Sequence, residues 1–418
     1  MRKMKRFFAL LFSFLLFASV LSGCGSNNKQ GTSAAKSSSN SKAELTLWAY
    51  YTGAGATALK NLINEFNSSQ DKVEVTFQFI PDSDLKKQLS IGAAANKLPD
   101  IVAIDNPDLA AFASMGILAD ISDKMLNWPD KNQYFEGPLK STIYNGKNYG
   151  LPFVSNCLAL YYNVDMLNAA GIKPPQTWDD LRAAAKALTK NGVEGLAIAA
   201  PNNEEGTFQF LPWLLSAGGD INKLDSPESE KAFGFITNLI NDGSMSSEVI
   251  NYKQDDISKL FQAGKVAMMV NGPWEINNIK QNVPNLHWAV TKLPKDEKYA
   301  SVLGGEDLAI IKGKNVDAAW EFLKFVARPD IMRKYMPQFG QLPPRKDVAT
   351  DKTWSDDPVL SVFMDEMQYA MPRGPHPKWP QISEAISTGL QEAVTKVKTP
   401  EQIGKEAQEK IDQINASK

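Results

Sequence analysis

Residues 44–105 carry three strand patterns separated by two helical patterns, and this stretch decides the fold class. It opens with ELTLWAY (residues 44–50) and closes with PDIVAID (99–105), two runs of strand-forming residues. Between them, VEVTFQF (73–79) alternates apolar and polar residues, as a half-buried strand does. Strands that alternate with helices predict an α/β fold with a largely parallel sheet.

Helical patterns fill the two intervals between these strands. Leu59, Leu62, Ile63 and Phe66 recur at helical spacing, which predicts an amphipathic helix with one buried face. Residues 84–96 are predicted to form the second helix. The first interval is therefore expected to place a helix against the sheet.

Aromatic and polar residues stand at the predicted carboxyl ends of two strands. Tyr50 and Tyr51 follow the first strand, while Asp105 and Asn106 follow the third. Ligands of open α/β sheets bind beyond the carboxyl ends of the strands. We therefore predict that these four residues include ligand-binding side chains.

The same alternation continues through the rest of the chain. An Asn-Gly pair at residues 145–146, set between aromatic residues, predicts a tight β-hairpin. Strands are predicted at 158–163 and 266–270, and helices at 318–325 and 383–397.

The amino terminus has the pattern of an export signal. A basic segment precedes an apolar run from Phe7 to Leu21, which at 15 residues is shorter than the roughly 20 that a spanning helix needs. We predict a signal peptide over residues 1–23. Residues 24–43 lack large apolar side chains and are predicted to form a flexible tether.

The sequence LSGC at residues 21–24 resembles the lipobox of bacterial lipoproteins. The resemblance implies cleavage before Cys24 and lipidation of that cysteine, with palmitate as an expected acyl chain. The protein is then expected on the extracellular face of the cell membrane, which it touches through its lipid anchor only.

Composition narrows the range of functions. The formal charge is −2, and removal of residues 1–23, which hold four bases and no acid, leaves −6. A mildly acidic chain argues against nucleic acid as a partner. The only cysteines are Cys24 and Cys157, so lipidation of the first leaves the second without a disulfide partner.

Several classes of chemistry have no motif in this chain. The sequence contains neither a phosphate-binding GxxxxGK[ST] loop nor a GxSxG nucleophile elbow. Two histidines, His287 and His376, are too few for the zinc motif HExxH. We therefore expect no cofactor, no metal site and no catalytic residue.

Nine short motifs occur in one order along residues 44–418. They are LW (47–48), LPDIV (98–102), GILAD (116–120), GLP (150–152), LYYN (160–163), PQTWDDL (175–181), FQAGKVAM (261–268), NGPW (271–274) and GG (304–305). Together they resemble family 1 extracellular solute-binding proteins, the maltose-binding-protein-like receptors of ABC sugar importers.

This resemblance implies a two-lobed, type II periplasmic-binding-protein-like fold. The chain is expected to cross the hinge near Pro152–Asn156, Ser301–Gly305 and Gln341–Arg345. The resulting lobes are residues 44–153 plus 306–342, and residues 154–305 plus 343–418.

The resemblance also implies a non-enzymatic function. The protein is expected to be a monomeric, lipid-anchored substrate-binding subunit that binds an oligosaccharide between its lobes and delivers it unaltered to an ABC permease. Two alternatives remain open at this point. One is a receptor for glycerol phosphate or an anionic glycan, with Arg373 as the charged contact; the other is an anchored glycosidase or polysaccharide lyase that uses two carboxylates.

Sugar recognition calls for flat aromatic faces and a few fixed hydrogen-bonding groups. Trp274 occupies the Gly-Pro-Trp position at which the family stacks a sugar ring. The family places polar ligand groups after the first crossing, which implies Ser155 and Asn156. Gly305 and Glu306 follow a glycine that lets backbone approach closely.

Three further residues are candidates with weaker motifs. Trp213 lies in an apolar segment, FLPWLL (210–215), where core packing and ligand stacking are both open. Arg373 and Trp379 lie in MPRGPHPKWP (371–380), a proline-rich stretch predicted to be irregular. This stretch differs from the late aromatic cluster of the maltose receptor and argues against maltose as the ligand.

Overall fold

A computed structural model describes residues 42–417 of the protein, except the side chain of Ser83. The predicted signal peptide, Cys24 and nearly all of the predicted tether lie outside the described residues. Within the described range, every helix is too short or too polar to cross a membrane.

Helices and strands alternate along most of the described chain. The strands are β1 (Ala43–Ala49), β2 (Val73–Phe79), β3 (Ile101–Asp105), β4 (Ile143–Tyr144), β5 (Lys147–Asn148), β6 (Gly150–Pro152), β7 (Ala159–Asn163), β8 (Glu194–Ala197), β9 (Val266–Asn271), β10 (Trp288–Thr291), β11 (Ser301–Leu303), β12 (Glu306–Ile310) and β13 (Ala370–Pro372). The α-helices are α1 (Gly53–Ser69), α2 (Asp82–Ala95), α3 (Leu109–Ser114), α4 (Ser122–Leu126), α5 (Glu136–Ser141), α6 (Val164–Ala169), α7 (Trp178–Leu188), α8 (Glu204–Ser216), α9 (Pro227–Asn241), α10 (Gln254–Gln262), α11 (Glu275–Asn282), α12 (Val316–Val326), α13 (Pro329–Phe339), α14 (Lys346–Ala349), α15 (Lys352–Ser355), α16 (Leu360–Glu366), α17 (Trp379–Thr395) and α18 (Pro400–Ala416). Short 3-10 helices occupy Asn106–Asp108, Pro129–Gln133, Ser247–Asn251 and Met367–Tyr369.

The first large sheet has five strands in the order β2-β1-β3-β12-β6. Its first three strands are parallel, as predicted, while β12 runs antiparallel to both of its neighbours. Helix α1 buries Leu59, Leu62, Ile63 and Phe66, the four residues of the predicted apolar face. These observations confirm the predicted α/β class.

The second large sheet has four strands in the order β10-β7-β9-β8. Strand β9 is buried along its whole length because it has a strand on either side and helices against its faces. Helices α8, α9, α17 and α18 pack against one another beside this sheet. The carboxyl-terminal part of the chain therefore belongs with the second sheet.

Three chain segments that pass between the two sheets lie side by side. Ser155 and Leu342 exchange backbone hydrogen bonds of 2.9 and 2.8 Å, and Asn156 and Gly304 exchange bonds of 3.0 and 2.9 Å. Gly305 adopts a φ of +132°, and a Cβ there would lie 2.1 Å from the carbonyl oxygen of Val154. Only glycine fits this position, because any side chain would collide with the neighbouring crossing.

Three local predictions from the sequence can be compared with the structure. The Asn-Gly hairpin is confirmed: β4 and β5 are antiparallel, and Asn145 and Gly146 have φ values of 47° and 73°, as a type I′ turn requires. Strand β1 begins at Ala43, inside the predicted tether. The expectation that residues 371–380 are irregular is wrong at both ends, because β13 pairs with β11 and α17 begins at Trp379.

Candidate functional site

A cleft with a volume of about 350 Å³ opens between the two large sheets. On one side lie the carboxyl ends of β1, β2 and β3, and on the other lie the amino-terminal ends of α8, α10 and α11. Its lining residues are Tyr50, Tyr51, Thr52, Gly55, Phe79, Pro81, Asp82, Asp105, Asn156, Glu204, Glu205, Phe208, Lys253, Gln254, Asp255, Trp274, Glu275, Asn278, Gly305, Glu306, Phe339, Gln341 and Arg373.

Glu306 is held in the cleft by two tyrosines. Tyr50 Oη donates to Glu306 Oε1 at 2.8 Å, and Tyr51 Oη donates to Oε2 at 3.1 Å. The carboxylate is 7% exposed, and burial together with the charge of Asp105 raises its pKa to about 7. The tyrosines orient both carboxylate oxygens and leave the remaining lone pairs for hydroxyl donors of a ligand.

Arg373 joins two acids from different parts of the fold. Its Nη2 and Nη1 donate to Asp105 Oδ1 and Oδ2 at 2.7 and 2.9 Å, and Nη1 also donates to Glu204. Its Nε donates to the carbonyl of Leu303, and its guanidinium lies 4.5 Å from the ring centre of Phe208. Each nitrogen of the guanidinium therefore already has a protein partner.

Trp274 presents an aromatic surface at the turn between β9 and α11. The turn packs so closely that a Cβ on Gly272 would lie 2.0 Å from Trp274 Cζ3. The Trp274 ring centre lies 6.4 Å from that of Phe208, with an angle of 34° between the ring planes. These two rings give the cleft a partly apolar wall.

Asn156 and Gln341, two amide side chains from the crossing segments, line the cleft and contact each other. Asn156 Nδ2 donates to Gln341 Oε1 at 3.0 Å, and both side chains are buried. The pair joins the first and third crossings through side chains, in addition to the backbone bonds.

The charges of the cleft are strongly unequal. Seven carboxylates line it, whereas its lysines and arginines, among the described residues, are Lys253 and Arg373. The acids are Asp82, Asp105, Glu204, Glu205, Asp255, Glu275 and Glu306. Nowhere in the described chain do three or more His, Cys, Asp or Glu residues group as a metal site does.

Most of the sequence-predicted site residues meet at this cleft. Those brought together are Tyr50, Tyr51, Asp105, Asn156, Trp274, Gly305, Glu306 and Arg373. They come from segments far apart in sequence, so their proximity is a result of the fold.

Four predicted residues do not line the cleft. Trp213 is 1% exposed and packs against Trp178 and Phe235, so of the two interpretations left open for it the structure shows core packing, which removes it from the candidate ligand-binding residues. Trp379 is 2% exposed and donates from Nε1 to Glu204 Oε2 at 2.9 Å, so it supports a cleft residue from behind.

The other two lie next to cleft residues. Asn106 is 6% exposed, begins a 3-10 helix and is not among the residues that line the cleft. Ser155 is 1% exposed because its backbone pairs with Leu342 in the crossing segments. Both are neighbours in sequence of residues that do line the cleft, Asp105 and Asn156.

Sequence reasoning missed most of the residues on the α8 and α10 side. Glu204, Glu205 and Phe208 occupy the first turns of α8, and Lys253 and Gln254 lie at the start of α10. A signal was present: Asn203 caps α8 by accepting from Glu205 N at 2.9 Å, and an Asn followed by acids is a helix-start pattern.

The family profile described as bacterial extracellular solute-binding protein matches residues 61–361. This chain belongs to that family. The solute-binding protein is therefore an extracellular binding protein and not an enzyme.

Solved structures share the fold of this solute-binding protein. A solute-binding protein of Thermotoga lettingae, bound with α-D-tagatose, is 29% identical, with a TM-score of 0.83 over 89% of this chain and 100% of its own. The GacH receptor of Streptomyces glaucescens, solved unliganded and with acarbose, is 25% identical, with a TM-score of 0.82 over 90% of this chain and 100% of its own. The fold is thus the two-lobed one, with the cleft between the lobes.

A relative with a named ligand also matches by sequence. The maltotriose-binding protein of Pyrococcus abyssi is 28% identical over 335 residues, which cover 76% of this chain and 70% of that protein.

Proposed function

We propose that this solute-binding protein is the carbohydrate receptor of an ABC importer and binds a short oligosaccharide in the cleft. The observation that carries the proposal is the surface of Trp274, set in the same cleft as the tyrosine-held carboxylate of Glu306. A sugar ring needs such a combination, because its C–H face packs on an aromatic ring while its hydroxyl groups need fixed partners.

The aromatic residues of the cleft support a ligand of more than one sugar ring. Tyr50, Phe79, Phe208 and Trp274 all line the cleft, and Phe79 is 47% exposed. Several aromatic surfaces along one cleft suit a ligand of more than one ring. Three similar proteins support the carbohydrate class: two were solved with tagatose and acarbose, and the third is a maltotriose-binding protein.

The charges of the cleft argue against the anionic alternative. Arg373, the residue on which that alternative depended, already binds Asp105 and Glu204. A phosphate or uronate would meet an excess of carboxylates and would be repelled by them. A neutral or cationic ligand is compatible with the cleft.

The lobes of the receptor are residues 44–153 plus 306–342 and residues 154–305 plus 343–418. The side-by-side crossing segments support this division, because rotation about three adjacent chain segments moves the lobes as rigid bodies. Closure around the ligand presents the loaded form to the permease, which receives the sugar unaltered. We place the receptor at the cell surface as a monomer, anchored through lipidated Cys24.

Identification of bound ligand tests the proposal. Ligand released from the purified protein is analysed by mass spectrometry, and tryptophan fluorescence follows titration with malto-, cello- and chito-oligosaccharides. We expect a released carbohydrate and a saturable fluorescence change. Release of a non-carbohydrate solute, or turnover of any added glycan, would contradict the proposal.

A further inference from the structure

The excess of acid in the cleft lies at helix amino termini. Asp82 begins α2, Glu204 and Glu205 begin α8, Asp255 lies in the first turn of α10, and Glu275 begins α11. Each helix amino terminus carries roughly half a positive charge, so four of them offset about two of the carboxylates. Seven acids against two bases still leave the cleft negative after this correction.

The two bases of the cleft, Arg373 and Lys253, do not neutralise its excess of negative charge. The side chain of Arg373 is 2% exposed, and its single charge is already shared between Asp105 and Glu204. Lys253 then remains as the only described cation of the cleft lining beside Asp82, Glu205, Asp255 and Glu275. At least two carboxylates of this group have no cationic partner in the cleft lining.

Glu275 is the acid of the cleft for which an unpaired carboxylate oxygen is visible in the structure. It is 2% exposed and lines the cleft, and its Oε1 has no hydrogen-bond donor within the described part of the chain. Its Oε2 accepts from Ser258 Oγ at 2.5 Å, so one half of the carboxylate is held while the other half is free. A buried acceptor without a donor costs about 1–3 kcal/mol, which a donor on the ligand would recover.

The pKa values of these acids agree with the geometry. Burial raises the pKa of Asp82 to about 6 and those of Glu205 and Glu275 to about 7, with neighbouring acids adding to each shift and nearby lysines (Lys86, Lys253 or Lys259) opposing it. Asp82 contributes to the shift of Glu205 although the two residues belong to different helices, α2 and α8. Acids that oppose one another in this way are stabilised by a cation placed among them.

We propose that the sugar taken by this cleft carries a protonated amine, bound at the free carboxylate oxygen of Glu275, in a cleft whose lining also holds the acids Asp82 and Glu205. The inference rests on the proposed carbohydrate function and specifies its ligand class. An ammonium group supplies three donors, one of which would meet Glu275 Oε1, and one positive charge, which would offset part of the excess of acids. Trp274, next to Glu275 in the chain, adds an aromatic face that attracts a cation.

Three disaccharides with one skeleton test the proposal. Cellobiose, its diamino counterpart chitobiose and N,N′-diacetylchitobiose are titrated into the purified protein by calorimetry, alongside glucose, glucosamine and N-acetylglucosamine. We expect the free-amine sugars to bind at least about tenfold tighter than their neutral partners, a difference of about 1.4 kcal/mol. We also expect their advantage to shrink as salt rises.

The outcomes separate this inference from the proposed function. Equal or tighter binding of the neutral sugars overturns the amine inference and leaves the carbohydrate receptor standing. Failure of every sugar, together with release of a non-carbohydrate ligand from the purified protein, overturns both.

Two variants connect the preference to the carboxylates. Glu205→Gln and Glu275→Gln each remove one negative charge at nearly constant shape, and we expect the ratio of amine to neutral affinity to fall about tenfold. Glu248→Gln, at an exposed position outside the cleft, is the control and should leave the ratio unchanged. An unchanged ratio in both cleft variants, with the native melting temperature kept, would overturn the assignment.

Discussion

Arg373 and Asp105 form a bidentate ion pair across 268 residues of sequence, with Nη2 donating to Oδ1 at 2.7 Å and Nη1 to Oδ2 at 2.9 Å. Asp105 ends β3 in the first sheet, and Arg373 follows β13. Because Glu204 of α8 shares the same guanidinium, the pair connects both sides of the cleft. The ion pair therefore organises the cleft before any ligand enters.

Removal of Arg373 should destabilise the folded protein. Arg373→Met leaves Asp105 and Glu204 without their cation, and we expect a loss of about 3–5 kcal/mol in the free energy of unfolding. Chemical denaturation followed by circular dichroism measures this loss. Arg328→Met, which breaks an exposed pair with Asp330, is the control and should cost no more than about 1 kcal/mol. Similar losses in both variants would contradict the buried role of Arg373.

Variants of Trp274 and Trp213 should affect different properties, sugar affinity for the first and thermal stability for the second. We expect Trp274→Ala to weaken sugar binding by about 1–2 kcal/mol, because it removes the aromatic face, with little change in melting temperature. We expect Trp213→Phe to lower the melting temperature with little change in affinity, because it leaves a void against Trp178 and Phe235. Calorimetry and thermal unfolding of both variants check this. A loss of affinity in Trp213→Phe without one in Trp274→Ala would show that the sugar does not bind against Trp274.

Sugar affinity should also fall when the backbone next to Trp274 is changed at Gly272. In Gly272→Ala, the new Cβ would lie 2.0 Å from the indole, so the ring must move and affinity should fall about as far as in Trp274→Ala. Gly234→Ala is the matched control, since its Cβ would meet Pro400 at an ordinary 3.7 Å. An affinity of Gly272→Ala equal to that of the control would show that the ring position does not matter.

Glu366 should make stability depend on pH. Its side chain is buried, and burial raises its pKa from 4.5 to about 8, although the backbone N–H of Leu293 opposes this shift. The folded protein thus holds this proton more tightly than the unfolded chain does. The free energy of unfolding should therefore fall as pH rises from about 4.5 towards 8, when the buried group must ionise.

The variant Glu366→Gln isolates this effect, because glutamine stays neutral at every pH. Its stability relative to the native protein should increase from pH 5 to pH 8, as measured by denaturant unfolding at each pH. Glu384→Gln, at an exposed helical position, should show no such trend. A constant difference between Glu366→Gln and the native protein would contradict the prediction.

The cleft was partly predictable from sequence, and the parts that were not share a physical cause. Tyr50, Asp105 and Trp274 each follow a strand whose pattern is clear, so their place at a strand end could be predicted. Trp213 could not be assigned, because α8 buries nearly all of its residues and no polar face shows which side meets ligand. Asn106 and Ser155 each lie one residue away from a side chain that lines the cleft, Asp105 and Asn156 respectively. The periodicity of the sequence does not tell which of two neighbouring residues enters the cleft.

The sequence by itself determined the α/β alternation, the parallel strands β1 to β3, the Asn-Gly hairpin and the family, because each depends on residues close together in the chain. Tertiary structure alone decided that Arg373 would bind Asp105 and Glu204, and that seven acids would line one cleft. Local patterns set backbone periodicity and burial, whereas the charge of a cleft arises only when distant segments are packed together.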